Sequence, residues 1–360
     1  MIRNLQLLRA IAACTVFVYH FLAHYFVHLN PDAKYLTFGA VGVDVFFVIS
    51  GFIMVVTTSD GKSGPSDFLA KRVARIVPIY WIVTLLLFAI ALAGLRPVGI
   101  MRVEPNWLIK SLLFIPFDRD GRIEPLNAVG WTLNYEMYFY AFFAAFLILR
   151  QTLVRVSLLC MTMSTLTLFS LRSDLGLYAK FYTNPIIMEF VLGCALGYVF
   201  HRTQSIKFSN QAFSIGLIIS GIAIITIAQA ITISLGITSE LNGFMRPLIW
   251  GMAGLLIVAG TVLLERSGHV VHADWLVALG NASYSIYLIH ELILHATSKV
   301  AGALLPLGFL YLLVTFLVGI AASAGLGLLL YHWVERPANR WVRSGLETIF
   351  FTDPQRTPIA

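Results

Sequence analysis

Residues 5–26 read LQLLRAIAACTVFVYHFLAHYF, an apolar stretch that nevertheless contains an arginine and a histidine. As a helix it would cross a hydrocarbon layer of about 30 Å, which requires about 20 residues. Similar apolar stretches recur along the chain, at residues 38–57, 76–95, 130–149, 153–171, 183–201, 212–235, 246–264, 275–298 and 306–333. The sequence therefore predicts an all-α polytopic integral membrane protein with about ten transmembrane helices.

The composition of the 360-residue chain excludes a soluble protein. It is 58% hydrophobic and only 12% charged, too little charge to cover a soluble surface. The three cysteines lie in apolar runs without paired spacing, so we expect neither a disulfide framework nor a metal site. Basic loops beside the membrane account for the net charge of +7, and no nucleic acid partner is expected. We predict one transmembrane domain over residues 1–345 and a short cytoplasmic tail over residues 346–360.

The distribution of lysine and arginine predicts the orientation. Cytoplasmic loops of membrane proteins carry an excess of these residues. With a cytoplasmic N-terminus, the inner loops collect most of them, including the cluster around Lys71, whereas the short outer loops hold mostly single charges. An even number of spans then places both termini in the cytoplasm. Within the longest connection, residues 96–129, the segment 107–116 is too short to span and is predicted to be re-entrant or interfacial.

Ionisable residues at membrane depth are costly unless they are paired, so each one predicts a function. Arg9 and His20 are separated by about three helical turns, which places them on one face of the first helix about 16 Å apart. The predicted orientation puts Arg9 near the cytoplasmic end together with the arginines of KRVARIVPIYW. It puts His20 in the outer half, with Asp44, Glu136 and His290.

This sorting by depth predicts a long ligand. Guanidinium groups bind phosphates well, whereas a histidine beside a carboxylate is an arrangement suited to general-base catalysis. A ligand held by phosphates at the cytoplasmic end would place its reactive group about 15–20 Å further along a single passage. An acyl-coenzyme A has this shape, because its pantetheine arm separates the thioester from the phosphates.

Six motifs, in order and spacing, resemble those of the membrane acyltransferase-3 family: LLRAIAACTVFVYHF, GVDVFFVISGF, KRVARIVPIYW, WTLNYEMYFY, GNASYSIYLIH and YHWVERP. The resemblance covers about residues 1–340 and is greatest to the branch of exopolysaccharide-production acetyltransferases. It implies transfer of an acyl group, usually acetyl, from cytoplasmic acyl-CoA to a hydroxyl of an extracytoplasmic glycan. It also implies location in the bacterial inner membrane, with a glycan or lipid-linked sugar as acceptor and polysaccharide-assembly proteins as partners.

Motif matching places the family's functional residues on this chain. The arginine and histidine of its first helix fall on Arg9 and His20, its Arg-x-x-Arg on Arg72 and Arg75, and its fourth-helix carboxylate on Glu136. The resulting hypothesis has His20 as the general base, or as the carrier of an acyl-histidine intermediate. Glu136 or Asp44 orients His20. The donor acetyl-CoA is bound through its phosphates by the three arginines.

Simpler interpretations stay open for several of these residues. Arg72 and Arg75 equally fit ordinary basic residues beside the cytoplasmic face, and Asp44 equally fits a structural pairing between helices. His290 either lines the acceptor site or makes hydrogen bonds within the bundle. Glu335 is predicted to form an interfacial ion pair with the adjacent Arg336. For the whole protein, the alternatives are a proton-coupled transporter and a non-catalytic component of polysaccharide export.

Overall fold

The computed structural model describes residues 2–29, 37–61, 64–95, 104–119, 121–206, 208–235 and 241–341, together with residue 344. It contains thirteen α-helices: α1 Arg3–Leu29, α2 Val41–Thr58, α3 Pro65–Leu92, α4 Pro105–Leu112, α5 Trp131–Phe146, α6 Thr152–Leu168, α7 Leu177–Tyr182, α8 Met188–Arg202, α9 Gln211–Ser234, α10 Met252–Arg266, α11 Asp274–Asn281, α12 Ser283–Leu304 and α13 Phe309–Leu330. π-Helical turns at Pro247–Gly251 and Tyr331–Glu335 adjoin α10 and α13. Two-residue strands β1, Asp118–Arg119, and β2, Arg122–Ile123, form an antiparallel hairpin.

The predicted all-α polytopic membrane fold is confirmed. Within the described part of the chain, eight helical segments are long and apolar enough to cross a membrane, and the bent pair α11–α12 makes a ninth. The remaining predicted span coincides with α5, which has only 16 residues. All ten predicted spans therefore lie on helices, although α5 is shorter than a full crossing. The predicted tail, residues 346–360, lies outside the described residues.

Two helices differ from their predicted spans in ways that affect the polar residues. Helix α3 begins at Pro65, so the two arginines of KRVARIVPIYW lie about two turns inside the helix instead of at its start. The predicted span 275–298 is broken between α11 and α12, whose axes differ by 71°. Gly280 lies at this break, where an added Cβ would be 2.0 Å from the carbonyl oxygen of Gln6, so α1 approaches the backbone closely there.

Helix α2 occupies the centre of the bundle, and 83% of the residues in its most apolar 18-residue stretch are buried. It crosses α8 at two small residues, since a Cβ on Gly51 would lie 2.2 Å from the Phe190 carbonyl oxygen and one on Gly193 would lie 2.1 Å from that of Val48. Small residues permit this approach between membrane helices. The crossing holds α2 in the position from which it contacts the candidate site.

Replacing Gly193 with alanine is expected to destabilise the protein by about 1–3 kcal/mol, because the added methyl group must displace backbone at the α2–α8 crossing. The thermal midpoint of the purified protein in detergent measures the effect. Gly325→Ala is the matched control, since a Cβ at this α13 position meets no atom within 4 Å among the described residues beyond its own helix backbone. Equal midpoints for the two variants would contradict the prediction.

The described residues of the connection between α3 and α5, 104–119 and 121–130, fold against α3 and α12. Helix α4 is attached to α3 through the indole of Trp81, whose Nε1 donates to the carbonyl oxygen of Leu112 at 2.9 Å. The β1–β2 hairpin follows α4, and its Arg119 forms an ion pair with Glu124. Asn127 then donates to the carbonyl oxygen of Leu288 on α12 at 3.2 Å. These contacts attach the connection to α3 and to α12, and Arg119 of the hairpin interacts electrostatically with Glu291 on α12.

Candidate active site

A cavity of about 490 Å³ lies between α1, α2, α3, α5, α12 and the π-helical turn after α13. We call it the arginine cavity, because Arg9, Arg72 and Arg75 all line it. The structure thus brings together the three arginines that the sequence places at the donor end. Two carboxylates, Glu136 and Glu335, line it as well.

The charges in the arginine cavity suit an anionic ligand. Arg9 donates to Gln6 Oε1 at 3.2 Å and interacts electrostatically with Arg75, Glu335 and Glu136. Arg72 lies over the Phe68 ring, 5.5 Å from its centroid, and its buried Nε has no hydrogen-bond partner in the described part of the chain. The three guanidinium groups outnumber the two carboxylates, and guanidinium groups bind phosphate oxygens well.

Glu136 lies with the arginines and not with His20, which corrects the predicted grouping. Its Oε1 accepts hydrogen bonds from the Ser50 hydroxyl at 3.1 Å and from the Tyr140 hydroxyl. Ser50 lies nearly two helical turns beyond Asp44 on α2, so Glu136 sits deeper toward the arginine end than the span boundaries predict.

His20 pairs with a different carboxylate from those that the sequence reasoning selects. Its Nδ1 lies 3.0 Å from Oε1 of Glu291 on α12, and both side chains are largely buried, at 26% and 17% exposed. A carboxylate at Nδ1 fixes the tautomer in which Nε2 carries the lone pair. Glu291 also interacts electrostatically with Arg119 of the hairpin. The sequence does indicate Glu291 as a possible partner of His20, because Glu291 comes directly after GNASYSIYLIH and lies at the depth predicted for His20.

His20 does not line the arginine cavity, and one layer of side chains separates the two. Tyr287 lines the cavity and donates its hydroxyl to the Val129 carbonyl oxygen at 3.1 Å. Behind it lies His290, with ring centroids 5.7 Å from Tyr287 and 5.0 Å from His20. We call Tyr287 and His290 the partition. The single open passage that the sequence predicts is therefore closed at the partition.

Asp44 forms a buried ion pair and has no contact with His20 among those described. Both carboxylate oxygens accept from Arg246, from Nε and Nη2, each at 3.0 Å. The guanidinium also lies over the rings of Trp250 and Trp131, at 5.1 and 5.9 Å from their centroids. Arg246, counted from the sequence as an outer-loop charge, precedes the π-helical turn Pro247–Gly251 and points into the bundle. This geometry favours the structural alternative for Asp44, a pairing between helices.

The predicted ion pair between Glu335 and Arg336 is also wrong. Glu335 is 4% exposed and accepts a hydrogen bond from the Ser285 hydroxyl at 2.5 Å. It lies in the π-helical turn Tyr331–Glu335, which adds a residue to the helical repeat and rotates this carboxylate toward the arginine cavity. The cavity thus contains a second carboxylate that sequence spacing alone assigns to the membrane interface.

Comparison with known proteins identifies the family of the chain. The family model described as an acyltransferase domain, Acyl_transf_3, matches residues 2–328. The chain belongs to the acyltransferase-3 family. The acyltransferase is 35% identical to the exopolysaccharide production protein ExoZ of Rhizobium meliloti over 317 residues, which cover 86% of this chain and 93% of that protein.

More distant relatives extend the comparison. Nodulation protein 10 of Rhizobium leguminosarum bv. viciae is 24% identical to the acyltransferase over 360 residues, 93% of this chain and 92% of that protein. The O-acetyltransferase OatA of Staphylococcus aureus is 24% identical over 385 residues, 98% of this chain but only 59% of OatA. No solved structure matches the chain.

Proposed function

We propose that this acyltransferase moves an acetyl group from cytoplasmic acetyl-CoA to a hydroxyl of an exopolysaccharide or its lipid-linked precursor on the far side of the bacterial inner membrane. The observation that supports it is the juxtaposition of His20, paired with Glu291 at 3.0 Å, and a cavity that three arginines line, on either side of the partition. Relatives named as an exopolysaccharide production protein and an O-acetyltransferase support the reaction and the acceptor class.

The proposed chemistry is a direct transfer at His20. Nε2 of His20 takes the proton of the sugar hydroxyl while the oxygen of that hydroxyl attacks the thioester carbonyl carbon. The C–O bond forms, the C–S bond breaks, and the imidazolium returns its proton to the departing thiolate. Glu291 holds Nδ1–H and stabilises the imidazolium, which is the role of the orienting carboxylate in a catalytic triad.

In this proposal the arginine cavity binds the donor. The phosphates of acetyl-CoA contact Arg9, Arg72 and Arg75, and the pantetheine arm extends past Tyr287 toward His20. Because the partition closes the way in this structure, side chains of the partition must move for the thioester to reach His20. The distance that the arm spans agrees with the separation of Arg9 and His20 along α1, about 16 Å.

The proposed function predicts an acetyl ester on the cell's exopolysaccharide. Deleting the chain should remove ester-linked acetate from the polysaccharide, and the purified protein in liposomes should transfer acetyl from acetyl-CoA to polysaccharide prepared from the deletion strain. Nuclear magnetic resonance of the polysaccharide measures both results. An unchanged acetate content in the deletion strain would instead favour transport or a non-catalytic role in export.

Replacing Arg75 with glutamine is expected to raise the KM for acetyl-CoA about 10–100-fold, because a charged hydrogen bond to phosphate contributes about 1.5–3 kcal/mol. S-acetylpantetheine, which lacks the nucleotide phosphates, is the control donor, and its KM should be nearly the same for wild-type and variant protein. A similar rise in KM for both donors would show that Arg75 does not bind the phosphates.

A further inference from the structure

One nitrogen of His290 is buried without a partner. The residue is 1% exposed, and its Nδ1 donates to the carbonyl oxygen of Tyr287 on its own helix at 2.6 Å. The ring nitrogen on the other edge, Nε2, has no hydrogen-bond partner among the residues that the structure describes. Because Nδ1 carries the proton, Nε2 is a hydrogen-bond acceptor. A buried acceptor without a donor is unfavourable, so its presence here indicates a ligand that supplies the donor.

The position of His290 indicates which ligand this nitrogen serves. Its Nδ1 faces its own backbone, so Nε2 lies on the opposite edge of the ring, and the ring itself lies against α1. There the ring of Phe17 lies 6.5 Å from the ring of His290, and the ring of His20 lies 5.0 Å away. Tyr287, on the other side, lines the arginine cavity. His290 thus lies between the donor cavity and the proposed base.

Resting on the proposed function, we infer that His290 Nε2 accepts a hydrogen bond from the amide N–H of the donor that lies two carbons from the thioester sulfur. With the thioester at His20, the next polar group of the arm is this amide, and it falls on the arginine side of the sulfur, where His290 lies. The thioester carbonyl itself is an acceptor and cannot pair with Nε2. His290 would therefore be a specificity residue for pantetheine thioesters.

A pair of substitutions separates this role from a structural one. In His290→Gln, the side-chain oxygen can take the place of Nε2, whereas in His290→Asn the amide can take the place of Nδ1 and satisfy the Tyr287 carbonyl. Retention of activity in the glutamine variant and loss in the asparagine variant assigns the role to Nε2. The opposite result assigns His290 to the local helix structure and overturns the inference.

The donor test compares two thioesters that differ in one group. The first is S-acetyl-N-acetylcysteamine, which keeps the amide N–H, and the second is its ester isostere, in which an oxygen replaces the N–H. Neither contains phosphate, so the comparison does not depend on the arginines. The full-length protein in liposomes transfers acetyl to polysaccharide from the deletion strain, and kcat/KM is measured for each donor.

We expect the wild-type protein and His290→Gln to prefer the amide donor by about 10-fold, and His290→Asn and His290→Phe to lose this preference. His332→Phe is the matched control, because His332 makes the same kind of backbone contact, 2.8 Å from Nδ1 to the Leu328 carbonyl oxygen, on an exposed surface. Equal losses with both donors in the His290 variants would overturn the inference. Absence of transfer from acetyl-CoA by the wild-type protein would instead overturn the proposed function.

Discussion

His20→Ala protein is expected to transfer acetyl about 10²–10⁴-fold more slowly than wild type, the loss typical of removing a general base. The physical reason is that no other basic group among the described residues combines a carboxylate partner at 3.0 Å with this position beside the partition. Single-turnover transfer from acetyl-CoA to polysaccharide in liposomes measures the effect, because it is insensitive to slow product release.

Two variants make this measurement specific. His24→Ala is the matched control, since His24 lies one turn further along α1 and contacts Ser298 Oγ at 2.8 Å instead of a carboxylate. It should retain nearly full activity. Glu291→Gln should lose less activity than His20→Ala, because the imidazole is kept but its tautomer and orientation are no longer held by a charge. Wild-type turnover by His20→Ala protein would remove His20 from the mechanism.

Arg246→Met is expected to be the most destabilising single substitution considered, at about 3–5 kcal/mol, because it leaves Asp44 buried without its cation. The carboxylate is 0% exposed and loses two hydrogen bonds of 3.0 Å. Glu189, also 0% exposed, interacts electrostatically with both members of the pair, so the variant leaves two carboxyl groups together. The thermal midpoint in detergent measures the loss.

Because Glu189 lies beside the ion pair, we expect Asp44 and Arg246 substitutions to destabilise the protein unequally. Asp44→Asn should cost less than Arg246→Met, since Glu189 remains beside the guanidinium. The double variant Asp44→Leu/Arg246→Met should recover part of the stability, because an apolar replacement of a buried ion pair is often tolerated. Arg172→Gln, which breaks an ion pair that is 61% and 65% exposed, should change stability by less than about 1 kcal/mol. Equal effects of Arg246→Met and Arg172→Gln would contradict the prediction.

The number and order of the membrane helices follow from hydrophobic stretches, because the length of an apolar run is fixed by the thickness of the bilayer. The grouping of Arg9 with the arginines of α3 also follows, since depth along a helix can be counted from its ends. Counting assumes straight, regular helices. The structure departs from that assumption at the 71° break before α12 and at two π-helical turns.

Those departures are where the site predictions fail. Arg246 precedes a π-helical turn, and in this position its guanidinium pairs with Asp44. Because Asp44 is paired there, it does not belong to the His20 site. The break before α12 sets the rotation of that helix, and with it the choice of Glu291 as the partner of His20. Rotation of one helix against another depends on packing between distant segments, and a single sequence does not encode it in any local pattern.

The partition has a consequence for the energetics of the cell. Under the proposed function, an acetyl group must pass through the bilayer, yet an open water-filled passage would discharge the ion gradients that the membrane maintains. Here the partition between the arginine cavity and His20 consists of Tyr287 and His290, whose ring centroids lie 5.7 Å apart. A partition this thin keeps the membrane closed to ions. It also requires only a small displacement of two side chains each time an acetyl group passes.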